Sequence, residues 1–138
     1  METQKTFTDN LFDSKYIEQC VNNPDLQVLW NLEVGTYYWN TQQERIYLID
    51  KSFTGVKDDK KFWMPRQDEL QILLKQKNDR YKEMTDLKFD FNMRQCIFKS
   101  YCHKILCRLS LNDMWLIFFM QDQFGKQWVP ERKTWEHR

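Results

Sequence analysis

Three of the chain's four cysteines and one of its two histidines fall within twelve residues, "CIFKSYCHKILC" at 96–107. Thiolate and imidazole are zinc ligands, and a thiol beside cations is a nucleophile or redox group, so chemistry would be sought here first. On a helix, at about 100° per residue, Cys96, Ser100, His103 and Cys107 share one side. His103 and Cys107 are one turn apart, near enough to hold one metal. Cys96 stands two turns from His103, roughly 10 Å along the axis, and does not complete the same tetrahedron. Zinc would need a further ligand such as His137 or Cys20, and there is no CxxC knuckle. As a reactive thiol, a cysteine here would be acidified by Lys99, Lys104 and Arg108. The other reading is packing. Phe91, Ile97, Phe98, Tyr101, Cys102, Ile105, Leu106 and Leu109 form one broad apolar side, and cysteine packs as a small hydrophobe. A second layer over the opposite side would make Cys96, His103 and Cys107 interior too. Core packing is the reading adopted, with no metal and no cofactor; Cys96, His103 and Cys107 remain the alternative ligand set.

Catalytic motifs are missing elsewhere: there is no Gly-rich phosphate loop, GxSxG elbow or HExxH. Asp68 with Glu69, and Asp58 with Asp59, are adjacent residues whose side chains point apart, so neither is a ready acid–base couple. The better candidates are binding groups. Tyr37, Tyr38, Trp39 and Tyr47, with Arg45 beside them, lie on alternating sides of an aromatic hairpin. They would anchor a protein partner or stack on bases; the preferred alternative is that one side packs on the helices while the other carries ordinary tyrosines. Arg66 and Asp68 are either exposed recognition groups or fixtures of a loop–helix junction, the latter preferred. Arg45, Lys51, Lys57, Lys60 and Lys61 would make a local basic patch for nucleic acid.

Around these residues stands a chain of 138, the usual size of one domain, with ten Phe, six Trp and six Tyr to fill a core. With 21 basic against 20 acidic residues, bulk attraction to nucleic acid or an anionic membrane is not expected. The longest apolar segment, "MWLIFFM" at 114–120, is far short of the roughly 20 residues of a membrane span. "METQKTFTDN" has no apolar run resembling a secretory signal, so a soluble cytoplasmic protein with reduced cysteines is expected.

The elements that must position the candidates follow from periodicity and punctuation. A polar leader over 1–8 precedes a short helix carrying Leu11, Phe12, Tyr16 and Cys20, with Thr8, Asp9 or Ser14 as caps. Residues 24–34 alternate like a strand, but Asn23, Pro24 and Gly35 stand where a helix needs its cap, first residue and left-handed end, and a helix is expected. Strands at 36–40 and 45–50 make the hairpin, and 51–61 an exposed connection. Pro65 opens a helix with Asp68 and Glu69 in its first turn. A long helix from about Asp90 to Leu109 carries the cysteines. Ser110 and Asp113 have capping-box spacing before a helix that ends at Gly125. A terminal strand or hairpin then joins the earlier sheet.

Two of these stretches also carry a resemblance. "FWMPRQDEL" (62–70) and "NDMWLIFFMQDQFGKQWVPERKTW" (112–135), with "GTYYWN" ahead of them, resemble segments of small uncharacterised proteins encoded by bacteriophages and prophages. "VPERKT" is longer than the turn of that group, and the cysteine stripe is not part of its pattern. The resemblance implies a phage origin and no catalytic residues.

The whole is read as one α+β domain over 1–138, three to five helices packed on a small antiparallel sheet. The expected function is that of a non-enzymatic phage-type accessory protein that binds a host or phage protein in the bacterial cytoplasm, without a membrane. The alternatives are nucleic-acid binding through the basic and aromatic patch, then a metal- or thiol-dependent enzyme.

Overall fold

Helix starts in this chain are set by side chains that accept the first free backbone N–H groups. Asp13 accepts from Tyr16 N at 2.7 Å, Asn23 from Leu26 N at 3.1 Å and Thr85 from Lys88 N at 3.2 Å. A computed structural model describes residues 12–101 and 108–137, and the leader expected over 1–8 lies outside them. Among the described residues there are six helices: α1 (Ser14–Val21), α2 (Pro24–Val28), α3 (Gln67–Lys77), α4 (Asp79–Lys82), α5 (Asp86–Ser100) and α6 (Leu111–Phe124). The strands are β1 (Tyr37–Asn40), β2 (Arg45–Leu48), β3 (Lys61–Met64), β4 (Lys126–Val129) and β5 (Thr134–His137). The class is α+β, with a three-stranded antiparallel sheet ordered β2-β1-β3 and a separate two-stranded sheet of β4 and β5. The C-terminal strands therefore do not join the hairpin's sheet. The chain falls into two compact units, Met1–Pro65 with Pro130–Trp135 and Arg66–Val129 with Glu136–Arg138.

In the first unit, α1 begins one residue after its cap, Asp13; Ser14 is its first helical residue, and Thr8 and Asp9 lie outside the described residues. The Asn23–Pro24 start of α2 is as expected, but the helix stops at Val28. Gly35 does not cap it. At φ +96° it opens the hairpin, its N–H donating to Ile49 O at 2.8 Å, a backbone that favours glycine. Beyond the hairpin, 61–64 is a third strand where a connection and helix lead-in were expected. β3 pairs with β1 from Tyr37↔Met64 to Asn40↔Lys61.

The outer edge of β3 is closed by a side chain. Gln27 Oε1 accepts from Trp63 N at 2.6 Å, and its Nε2 donates to Trp63 O at 3.1 Å and to Cys20 O at 3.0 Å. One amide thus supplies both halves of a ladder pair and ties α1 and α2 to the sheet. Tyr16 adds a second tie, its hydroxyl donating to Pro65 O at 2.7 Å. Trp135 adds a third, its indole N–H donating to Gln19 O at 2.8 Å.

The second unit is organised on α6, whose residues Trp115 to Met120 are all buried. Such a helix is surrounded rather than half-covered. It opens with the expected capping box: Ser110 Oγ accepts from Asp113 N at 3.1 Å, and Asp113 Oδ2 accepts from Ser110 N at 3.0 Å. Gly125 closes it in the left-handed region at φ +63°. α3 and α5 both pack on it. Pro65 precedes the N-cap of α3 instead of opening its first turn; the cap is Arg66, whose N–H donates to Glu69 Oε1 at 2.8 Å.

The largest departure from expectation is α5. It runs from Asp86 to Ser100, and Tyr101 is extended at φ −129°, ψ 144°, so the wheel drawn through to Leu109 does not apply. The buried residues are Phe89, Met93 and Ile97, while Phe91 and Phe98, assigned to the apolar core side, are exposed.

Replacing Gln27 with Leu keeps bulk but leaves the N–H and C=O of Trp63 unmet. Equilibrium urea unfolding is expected to show a loss of about 2 kcal/mol, larger than the ~1 kcal/mol expected for Ser110→Ala.

Candidate functional site

The hairpin candidates divide between the faces of the sheet. Tyr38 and Tyr47 oppose one another across β1 and β2 and stack at 5.5 Å between ring centroids. Trp30 and Phe53 close on Tyr38 at 6.0 and 5.8 Å. At 3% and 6% exposure these two tyrosines are core, not a presented surface. Tyr37 and Trp39 are half-buried on the other face, where Phe12 meets Tyr37 edge-on at 5.9 Å. Trp39 and Arg45 come together at a depression, a hollow of about 350 Å³ at the hairpin's end with Gln43 and Glu44.

The basic set is partly committed. Lys61 Nζ lies 2.8 Å from Asp58 Oδ2, and Lys57 sits over the Trp30 ring at 5.8 Å. The hydrogen bond from Lys61, then that from the Lys60 N–H, holds the Asp58 carboxyl below its ordinary range. Arg66 Nε pairs with Asp68 Oδ1 at 3.1 Å at the start of α3, with side chains 39% and 60% exposed.

Of the cysteine set, His103 and Cys107 lie outside the described residues. Cys96 is a half-buried thiol that donates to Gln121 Oε1 at 3.1 Å. Among the described residues no group of three or more His, Cys, Asp or Glu side chains could hold a metal ion, and no helix is long and apolar enough to cross a membrane.

The Cys96–Gln121 contact lies in a cleft of about 580 Å³ within the second unit, built by α4, α5 and α6. Its most densely hydrogen-bonded side chain is Asp122. One carboxylate oxygen accepts from the Tyr81 hydroxyl at 2.7 Å and from Arg80 Nη2 at 3.1 Å. The other accepts from Asn78 Nδ2 at 3.3 Å and Gln123 Nε2 at 2.9 Å. Arg80 Nη2 also donates to the Tyr81 oxygen, closing a triangle. Burial first, then the bond to Asp122, pushes the Tyr81 phenol up to about 12. The Tyr81 phenol keeps its proton throughout the neutral range and is no base there; the cleft offers hydrogen bonds and charge instead.

A second feature of this unit is an exposed apolar line on α5. Leu87, Phe91 and Phe98 are 82%, 60% and 53% exposed and lie within about 40° of one another on the helix. The line is roughly 16 Å long. Between Phe91 and Phe98 stands Arg94, held by Asp90 at 2.7 Å.

Neither feature was singled out in the sequence. Asp122 and Tyr81 are 41 positions apart, and nothing local marks them as partners. The exposed line did have a signal in the i, i+4, i+11 spacing of Leu87, Phe91 and Phe98, lost when Phe91 and Phe98 were placed in the core. Comparison with known proteins finds no matching family model, curated protein or solved structure.

Tyr81 provides a pH test. Its phenol keeps its proton to about pH 12 when folded, against 10 as the unperturbed value. The folded state therefore binds more protons between these values, and the stability it contributes is whole below pH 10 and is lost as pH rises through about 12. Absorbance titration at 295 nm should show a late-ionising component that is smaller by one tyrosine in Tyr81→Phe.

Proposed function

We propose that the chain is a non-enzymatic accessory protein of phage type that acts in the cytoplasm of a bacterial host by binding a host or phage protein through α5. The observation that carries this reading is the line of Leu87, Phe91 and Phe98 standing exposed on one side of a helix whose opposite side is buried. Large apolar side chains grouped on a surface cost solubility and mark contact sites. Helix-in-groove recognition reads such i, i+4 anchors. The resemblance of 62–70 and 112–135 to phage-encoded segments is what supports a phage origin and a bacterial host compartment in this reading. Near-neutral charge agrees with a protein partner over a polyanion.

The test is capture from phage-infected bacterial lysate on the tagged chain, read by native mass spectrometry, beside the double variant Leu87→Ser, Phe91→Ser. Both side chains are solvent-facing, so the thermal midpoint should stay within a few degrees while partner retention falls at least about tenfold, as for interface hot spots. Equal retention by the double variant, or no retained protein with either chain, would refute the reading.

A further inference from the structure

The cleft beside α5 holds one buried hydrogen-bond donor without an acceptor, the Gln121 amide, flanked by the exposed cations Arg80 and Lys99. Asp122 is taken up at both oxygens. Arg80 engages Tyr81 and Asp122 through Nη2 alone, and a guanidinium has five N–H donors. Its Nε and Nη1 have no partner among the described residues. Lys99 on the cleft wall likewise has no carboxylate among them. Gln121 spends its oxygen on the Cys96 thiol, and its Nε2 is buried with no acceptor. Two cations against one committed carboxylate leave the lining with an excess positive charge. Met84 and Phe118 contribute apolar wall.

From this inventory we infer that the cleft is a binding site for a small organic oxyanion, a carboxylate or phosphate ester with an apolar substituent. Only a ligand rich in acceptors meets these groups; a donor-rich or cationic ligand would face Lys99 and Arg80 and leave the Gln121 amide unmet. The volume of about 580 Å³ is within the range of small-molecule sites. The oxyanion takes its hydrogen bonds from Lys99 Nζ, Gln121 Nε2 and the open edge of Arg80, and its apolar part lies toward Met84 and Phe118. The Asp122–Tyr81 pair holds Arg80 in place and stays outside the exchange. This site stands apart from the Leu87–Phe91–Phe98 line and does not depend on protein binding there.

The experiment is an NMR titration of the full chain with benzoate, with phenyl phosphate, and with neutral benzamide as control. It follows the Gln121 side-chain NH2 and the backbone amides of Cys96 and Lys99. Saturable shifts at these positions with either anion are expected, with affinity about tenfold lower in Lys99→Ala, the scale of one charge-assisted hydrogen bond. The tighter of the two anions identifies the class. Gln121→Leu is expected to abolish the shift at Cys96 while the spectrum stays dispersed. Benzamide binding as tightly as both anions, unchanged affinity in Lys99→Ala, or no saturable shift with either anion would overturn the assignment.

Discussion

The amide of Gln27 closes the exposed edge of β3, and the architecture of the first unit depends on it. A three-stranded sheet ordered β2-β1-β3 has two open edges, and an open edge invites pairing with another chain. Here one edge is met by the side chain of a residue from the preceding one-turn helix. The same amide reaches the last turn of α1 at Cys20 O. Three elements too short to be stable alone are thereby held in one arrangement, and the aromatic residues fill both faces around them.

The second unit follows a different logic. Its central helix, α6, is buried over six consecutive residues, so apolar packing determines its place. The polar work is done just past that run. Asp122 gathers donors from Asn78, Arg80, Tyr81 and Gln123. With a side-chain exposure of 10%, its charge is tolerated because each oxygen accepts two hydrogen bonds. α4, a single turn capped by Asn78, positions Arg80 and Tyr81 for this.

Helix α5 connects structure with both proposed roles by using three faces. Phe89, Met93 and Ile97 enter the core; Asn92, Cys96 and Lys99 line the cleft; Leu87, Phe91 and Phe98 stay in solvent. A helix built only for stability would carry polar residues on its outer side. Placing two phenylalanines and a leucine there is locally unfavourable, which is why the line is read as functional.

Short-range chemistry was legible in the sequence wherever one residue and its near neighbours settle the outcome. The Ser110–Asp113 box, the Asn23–Pro24 start, Gly125 at a helix end and the 36–50 hairpin follow from caps, φ preferences and strand-forming side chains acting within a few positions, and with them the α+β class. Decisions made across the chain were not legible. β3 was missed because "KFWM" becomes a strand through pairing with β1, and its outer edge through Gln27, 36 positions away. The core side of α5 was misplaced because the cysteine-rich run invited a helix longer than the one that forms, and a wheel is only as good as its length. The cleft, too, belongs to tertiary structure: it exists because α4, α5 and α6 bring Arg80, Lys99 and Gln121 together, and no local preference encodes that meeting. Sequence alone determined the capped helix starts at Asn23 and Ser110, the glycine end at Gly125 and the hairpin; packing decided how long α2 and α5 run, that β3 forms, which faces are buried and which polar groups are left facing a cleft.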